Sequence, residues 1–195
     1  MSRDEVLAVV AKRGIRFIRL LFCDVAGFSK CVTITSDELD ESLDNGKGFD
    51  GSSIEGFTRI YESDMVAMPD TSTFKVLPWD DDGEEALLFC DVLEPDGTPY
   101  AGDPRSILKR TLKGVEDKGW TFNIGPELEY FYFTDAENPK PLDSAGYFDL
   151  TPPDLGEQLR KRTILALDRL EIPVECSHHE VAPASTRSTS STATP

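Results

Sequence analysis

Glu127 and Glu129 stand two positions apart in a run that otherwise favours a buried strand. A Gly-Pro pair precedes them and several aromatic residues follow, as is typical of a β-strand that begins after a turn. Because side chains alternate between the faces of a strand, both carboxylates would project from one face. Buried like charges repel each other unless a cation or hydrogen-bond donors neutralise them, and a divalent metal ion, or a pair of such ions, suits carboxylate oxygens. The alternative is that both glutamates line the solvated face of an edge strand.

Two further stretches combine reactive side chains with unusual backbone freedom. Residues 49–57 read F-D-G-S-S-I-E-G-F, a loop in which glycines allow uncommon backbone angles around Asp50 and Ser53. Residues 175–180 read E-C-S-H-H-E, which places two imidazoles between Glu175 and Glu180. Taken singly, each stretch is a weak signal, because such a histidine pair more often serves packing than metal binding.

Composition narrows the class of protein. The 195 residues include 36 acidic and 20 basic side chains, which gives a formal net charge of −16. This charge disfavours nucleic acid and anionic membranes as partners, because both are bound by clustered lysine and arginine. No apolar run suggests a membrane span or a signal peptide. The four cysteines lack C-x-x-C spacing and predict reduced thiols, so we expect a cytoplasmic protein.

The elements that must position these residues begin with a small α+β domain, predicted over residues 1–98. Ser2 and Glu5 form a capping box ahead of a leading helix over residues 3–13. Two strands, a helix and further strands follow, an order that predicts a grasp-like arrangement. The predicted strands cover residues 16–22, 29–34, 65–68, 74–79 and 86–93.

A turn-rich boundary separates this domain from a second part, predicted over residues 103–183. Asp103 and Pro104 predict the start of a helix. The strand that carries the two glutamates, predicted over residues 121–133, is aromatic on both faces and is therefore expected to lie centrally in its sheet. Residues 184–195 contain no aromatic or branched aliphatic side chain, which predicts disorder.

In their order and spacing, the three stretches together resemble the bacterial and archaeal type I glutamine synthetases. The resemblance rests on F-D-G-S-S-I-E-G-F continuing into E-S-D-M, on G-P-E-L-E-Y-F and on H-H-E-V-A-P, and it covers residues 3–183. It implies an N-terminal β-grasp domain followed by the first part of a catalytic domain built of antiparallel sheet and helices. It also implies a ligase that makes glutamine from glutamate, ammonium and ATP through γ-glutamyl phosphate.

The resemblance implies a two-metal site occupied by Mg²⁺ or Mn²⁺. Glu129 and Glu180 are similar to ligands of the metal nearer glutamate, and Glu127 is similar to a ligand of the metal that binds the ATP phosphates. Such ions would neutralise the charge that develops during phosphoryl transfer. His178 and His179 are expected to support packing around the nucleotide pocket.

Other roles implied by the resemblance concern the nucleotide, ammonium and regulation. Glu175 resembles a residue that contacts ATP, while Asp50 resembles the carboxylate that binds ammonium and helps to remove its proton, with Ser53 beside it. Arg59 resembles an arginine that takes part in feedback inhibition by glutamine in one subgroup. The family assembles as two stacked six-membered rings, so a dodecameric homo-oligomer is expected.

The sequence also departs from the family. Family chains are more than twice as long, and their remaining metal ligands and substrate arginines have no counterpart here. Where they continue Gln-His-Glu-Ile-Asp, residues 185–189 read S-T-R-S-T, which a one-base frameshift of the same codons would produce. We therefore expect a truncated form that is inactive alone. Two alternatives stay open, namely a non-catalytic β-grasp module that docks on full-length synthetase, and a γ-glutamyl ligase for another amine.

Overall fold

The computed structural model describes residues 1–54, 64–79, 84–150, 152 and 154–190. The chain divides into two compact units, Met1–Trp120 and Thr121–Pro195. Arg59 and the end of the 49–57 motif lie outside the described residues. In the described ranges, no helix combines the length and the apolar character needed to cross a membrane.

The first unit begins with helix α1, Arg3–Arg13, whose bounds agree with the sequence prediction. The Ser2 hydroxyl accepts a hydrogen bond from the backbone N–H of Glu5, and the Glu5 carboxylate accepts one from the backbone N–H of Ser2. Gly14 ends the helix with a φ of 68°, a left-handed conformation that glycine adopts without a Cβ clash. The local sequence therefore specifies both ends of α1.

Six strands and one helix form the body of the first unit, namely β1 Phe17–Cys23, β2 Ser29–Thr35, α2 Leu39–Asn45, β3 Lys47–Asp50, β4 Asp64–Pro69, β5 Lys75–Val76 and β6 Glu85–Leu93. The strands make one sheet with the order β2-β1-β6-β4-β3, and β5 pairs with β6 beside this path. The parallel pairing of β1 with β6 is flanked by antiparallel pairs. This arrangement confirms the predicted grasp-like α+β fold, although the strand predicted over residues 74–79 is much shorter.

One hydrophobic cluster fills the space between this sheet and the helices. Alternate residues of β1 and β6 point into it, including Ile18, Leu20 and Leu88, each with no exposed surface. Val6 of α1 and Leu39 of α2 close the cluster from the helical side. Burying one such aliphatic side chain stabilises a fold by roughly 1.5–3 kcal/mol. All the residues of this cluster belong to the first unit.

Helix α3, Pro104–Glu116, is tied to the sheet at its N-terminus. The buried N-cap Asp103 accepts hydrogen bonds from the backbone N–H groups of Arg105, at 3.2 Å, and Ser106, at 3.0 Å. The Arg105 guanidinium then pairs with Asp70 at 2.7 Å and with Asp91 at 2.6 Å. An N-cap and one arginine therefore fix the helix against β6 and the turn that follows β4.

The Arg105–Asp70 pair predicts a pH dependence of the first unit. Burial alone would raise the pKa of Asp70, but hydrogen bonds from Arg105 and Ser72 outweigh it and lower the pKa from 3.8 to about 2. Because the folded pKa is the lower one, Asp70 stabilises the unit above about pH 4, and this contribution is lost as the pH falls towards 2. We expect Asp70→Asn to lower the free energy of unfolding at about pH 7 by about 1–2 kcal/mol, since part of the pair stays solvated.

Urea denaturation of the wild type and Asp70→Asn across this pH range measures the effect. The variant should show a shallower loss of stability between about pH 4 and pH 2. Asp37→Asn, at an exposed position, is the matched control and should change stability by less than about 0.5 kcal/mol. Equal slopes for wild type and Asp70→Asn would contradict the prediction.

The second unit contains β7 Glu127–Phe131, α4 Glu157–Arg169, β8 Val174–His179 and β9 Ser185–Ser190. Its three strands form an antiparallel sheet with the order β7-β9-β8. Strand β9 lies at the centre, so the prediction of disorder is wrong for residues 185–190. The strand predicted over residues 121–133 is shorter and lies at an edge of this sheet rather than at its centre.

Strand β9 is held by polar contacts. Its backbone pairs with β7 on one side and with β8 on the other. The Thr186 hydroxyl donates to the carbonyl of His178 at 3.1 Å, and the Ser177 hydroxyl donates to the carbonyl of Arg187 at 2.8 Å. The compositional prediction failed because it counted apolar side chains, whereas this strand is stabilised by two backbone ladders and by short hydroxyl side chains.

Candidate functional site

The sheet register brings residues of three strands to one face of the second unit. Arg187 of β9 lies directly opposite Glu129 of β7 and His178 of β8. Glu127 lies two positions before Glu129, and Glu180 lies two positions after His178. Because strand side chains repeat every second residue, the first four side chains belong to the same face, and Glu180 comes directly after the end of β8. The predicted convergence of the two glutamates on one face is therefore present, with an arginine among them.

Arg187 contacts three carboxylates through three different nitrogens. Its Nη1 lies 2.7 Å from Oε2 of Glu127, and its Nη2 pairs with Oε1 of Glu129. Its Nε lies 2.8 Å from Oε1 of Glu180. The side chains of Glu127 and Glu129 are about half exposed, at 51% and 47%, whereas that of Glu180 is only 11% exposed. We call these four residues the Arg187 cluster.

Electrostatics within the Arg187 cluster favour the charged guanidinium. The hydrogen bond to Glu129, followed by the attraction of the three carboxylates, raises the pKa of Arg187 above its already high ordinary value. Glu180 has further contacts, since its Oε2 accepts a hydrogen bond from the backbone N–H of Val181 at 3.1 Å. Nδ1 of His178 lies 3.9 Å from the other oxygen of Glu180. Oε2 of Glu180 is therefore hydrogen-bonded, and Oε1 lies close to nitrogens of Arg187 and His178.

His179, next to Glu180 in sequence, belongs to a separate buried network. Its Nε2 lies 3.0 Å from Oδ1 of Asp143, and its Nδ1 lies 2.7 Å from the carbonyl oxygen of Glu180. Two oxygen acceptors favour the doubly protonated imidazolium. Burial alone would lower the pKa of His179, but the bond to Asp143 outweighs it and raises the pKa. Burial alone would raise the pKa of Asp143, but its contacts with His179 and with the N–H groups of Leu155 and Ala184 outweigh burial and lower this pKa.

This network gives His179 a structural role of the kind expected for it. Asp143 holds the segment that precedes β9, because its carboxylate also accepts a hydrogen bond from the backbone N–H of Ala184 at 3.0 Å. Sequence reasoning missed Asp143, which stands in a long loop without a motif around it. The only available signal was the length of that loop, which favours a functional or structural purpose.

Glu175, the predicted nucleotide contact, is an exposed residue at an irregularity of β8. Val174 pairs with Ser190 and Cys176 pairs with Thr189, so Glu175 is the extra residue of a β-bulge. A bulge turns a side chain away from the regular alternation of the strand. Glu175 makes none of the contacts that define the Arg187 cluster.

Asp50 and Ser53, the predicted ammonium-site residues, belong to the first unit. Asp50 ends β3, and its Oδ1 accepts hydrogen bonds from the backbone N–H of Ser52 at 2.8 Å and from the Ser52 hydroxyl at 2.6 Å. Ser53 ends the short 3-10 turn Gly51–Ser53 that follows. The carboxylate therefore starts this turn, as aspartate commonly does.

Two family models match the chain in succession. The glutamine synthetase β-grasp domain matches residues 14–95, and the glutamine synthetase catalytic domain matches residues 101–189. The chain belongs to the glutamine synthetase family. The second match includes β7, β8 and residues 185–189 of β9, and therefore all four residues of the Arg187 cluster.

Similar proteins include bacterial glutamine synthetases. The chain is 47% identical over 186 residues to a glutamine synthetase of Clostridium saccharobutylicum, a match that covers 93% of this chain and 42% of that protein. A glutamine synthetase of Staphylococcus aureus is also 47% identical, over 188 residues, with the same coverage. The chain thus spans less than half the length of these curated relatives.

Solved structures of glutamine synthetases and related proteins share this fold. The cryo-EM structure of Plasmodium falciparum glutamine synthetase matches with a TM-score of 0.86 and 23% identity, over 100% of this chain and 45% of that one. A GmaS structure in complex with ADP matches with a TM-score of 0.82 and 22% identity, over 97% of this chain and 44% of that one. At such identities the likeness establishes the fold.

The divalent metal that the glutamine synthetase family implies does not fit the arrangement of the Arg187 cluster. The carboxylate oxygens are hard donors of the kind that Mg²⁺ and Mn²⁺ prefer. The guanidinium of Arg187 already lies among them and contacts one oxygen of each. In the part of the chain that the structure describes, no group of three His, Cys, Asp or Glu side chains is placed to hold a metal ion.

Proposed function

We propose that the chain supplies the β-grasp domain and the first catalytic strands of a glutamine synthetase. This ATP-dependent ligase joins glutamate and ammonium and releases ADP and phosphate. The observation that carries the proposal is the succession of the two domain matches, over residues 14–95 and 101–189. The predicted domain bounds, residues 1–98 and 103–183, belong to this proposal.

The proposed chemistry assigns a proton transfer to the first unit. Ammonium carries no lone pair and must lose a proton before its nitrogen can attack γ-glutamyl phosphate. Asp50 is the proposed acceptor, with Ser53 beside it. In the second unit, Glu175 is the proposed nucleotide contact. The assignments rest on motif similarity, and the family's Mg²⁺ or Mn²⁺ would require Arg187 to leave the cluster.

Assembly and location are part of the same proposal. By similarity to the family, the complete protein would be a cytoplasmic homo-oligomer, a dodecamer of two stacked six-membered rings. Its ligands would be glutamate, ammonium and ATP. Arg59, outside the described residues, is the proposed contact for feedback by glutamine. The strongly negative charge supports the absence of nucleic acid and membrane partners.

A second candidate is a non-catalytic module that docks on full-length synthetase through its β-grasp domain. Two observations favour it: the first unit has its own hydrophobic cluster, and Arg187 pairs with the carboxylates proposed as metal ligands. The frameshift interpretation of residues 185–189 bears on both candidates. Sequencing the genomic locus across codons 183–190 tests it, because a confirmed shift favours the second candidate and an intact downstream frame favours the first.

A chimeric enzyme tests the proposed function. A polypeptide of these 195 residues alone should form no glutamine from glutamate, ammonium and ATP, because two-metal phosphoryl transfer depends on correctly held ions. Joining residues 1–183 to the corresponding remainder of the Clostridium saccharobutylicum synthetase should restore glutamine formation.

Asp50→Asn in the chimera should lower the rate of glutamine formation by about 100-fold or more through loss of the proton acceptor.

The controls separate the candidates. A chimera that assembles like the relative but forms no glutamine would contradict the proposed ligase role. Product formed from a small primary amine but not from ammonium would favour the γ-glutamyl ligase alternative. Glutamine formed by the 195-residue polypeptide itself, and lost in Glu129→Gln, would contradict the expected inactivity.

A further inference from the structure

The Arg187 guanidinium contacts three carboxylates at once. It presents three nitrogens in a plane, and each faces a different glutamate: Glu127, Glu129 and Glu180. A planar fork of this kind matches several carboxylates better than a lysine ammonium would. The contacts follow from the sheet register, because Arg187 lies opposite Glu129 on the central strand. The arrangement is therefore a consequence of strand pairing.

The same oxygens cannot serve a metal ion and Arg187 together. Mg²⁺ requires oxygen ligands at about 2.0–2.1 Å in near-octahedral geometry. The Arg187 nitrogens lie 2.7 Å from Oε2 of Glu127 and 2.8 Å from Oε1 of Glu180, which leaves no room for an ion between them. The remaining oxygen of Glu180 accepts the Val181 N–H. An ion would also meet a guanidinium that stays charged at every accessible pH.

The innermost contact of the cluster is shielded from water. Oε1 of Glu180 and Nε of Arg187 are both buried atoms that lack a well-aligned hydrogen bond, and they face each other at 2.8 Å. The negative charge of Glu180 and the positive charge of Arg187 therefore stabilise each other mainly by electrostatic attraction at short distance. Removing the guanidinium would leave a buried carboxylate oxygen without any cation, and a buried charge needs a partner.

We infer that Arg187 takes the place of the divalent cation in this chain, so that Glu127, Glu129 and Glu180 are neutralised from within and do not load a metal. The inference goes beyond the proposed function because it concerns ion binding and requires no turnover. It predicts that the carboxylates become available to an external cation once the guanidinium is removed.

Binding of Mn²⁺ alone to the full 195-residue chain tests the inference, with free Mn²⁺ followed by electron paramagnetic resonance. The wild type should bind weakly, with a Kd above about 1 mM. Arg187→Gln should bind at least about tenfold more tightly, and Arg187→Glu more tightly still, because it adds a fourth carboxylate. Arg187→Lys keeps the charge and should stay weak. Arg162→Gln, at an exposed position of α4, is the matched control.

A second pair of variants identifies the ligands. Glu129→Gln added to Arg187→Gln should abolish the gain, whereas Glu129→Gln alone should leave the weak binding of the wild type unchanged. A folded Arg187→Gln without tighter binding would overturn the inference. If the Arg187 variants fail to fold, Mn²⁺ binding by the wild type and by Glu129→Gln still tests the inference. A wild-type Kd below about 1 mM that Glu129→Gln weakens would overturn the inference, and a Kd that Glu129→Gln leaves unchanged would support it. An inactive chimera would leave all these outcomes unchanged.

Discussion

Replacing Arg160 by leucine is expected to destabilise the second unit by about 3–5 kcal/mol, because it leaves a buried carboxylate without its cation. Arg160 and Asp154 are both buried, with side-chain exposures of 8% and 0%. Nη1 of Arg160 donates to Oδ1 of Asp154 at 3.0 Å, and Nη2 pairs with Oδ2. Burial alone would raise the pKa of Asp154, but the bonds from Arg160 outweigh it and lower the pKa.

Hydrogen exchange measured by mass spectrometry resolves this effect, because peptides from β8 and β9 report on the second unit separately from the first. Amides of these strands should exchange much faster in Arg160→Leu, while those of β1 and β6 keep their protection. Arg162→Leu, exposed on the same helix, is the matched control and should change stability by less than about 0.5 kcal/mol. Adding Asp154→Leu should recover part of the loss by removing the unpaired charge. Unchanged exchange in Arg160→Leu would contradict the role assigned to the pair.

The second large effect is expected from proline in the central strand of the second unit. Ser188 of β9 pairs with Leu128 of β7 and with Ser177 of β8. Proline removes a backbone donor, and its ring disturbs strand pairing, which confines proline to edge strands and bulges. We expect Ser188→Pro to cost at least about 3 kcal/mol and to separate β7 from β8.

Limited proteolysis followed by mass spectrometry measures this outcome. The wild type should keep residues 185–190, contrary to what composition suggests for this segment, because they are paired on both sides. In Ser188→Pro the protease should remove the second unit and leave a resistant fragment close to Met1–Trp120. Ser188→Ala is the control, since it loses only the contact with the Ser177 hydroxyl at 3.0 Å. Equal resistance of Ser188→Pro and the wild type would show that β9 does not hold this sheet together.

Local sequence signals predicted the first unit well. The capping box at Ser2 and the N-cap Asp103 each act through neighbours in sequence, so they are visible without tertiary structure. The glutamate pair of β7 was visible for the same reason, because strand periodicity fixes the face on which both carboxylates lie.

Long-range pairing explains what the sequence did not reveal. Arg187 appears in the sequence as the one charge in a stretch of small residues, and only the register of β9 with β7 and β8 places it beside three glutamates. Asp143 likewise reaches His179 from 36 positions away. No local pattern encodes either contact. The error about β9 followed from treating apolar burial as the only source of order.

The unequal burial of apolar side chains in the two units has a consequence for heat capacity. The hydrophobic cluster lies in the first unit, whereas Asp154, Arg160 and His179 are among the buried side chains of the second. Exposure of apolar surface raises the heat capacity on unfolding, and exposure of polar surface lowers it. The first unit therefore has the larger heat-capacity increment per residue and the more strongly curved dependence of stability on temperature. Below its temperature of maximum stability, the first unit should therefore lose stability more steeply on cooling than the second unit.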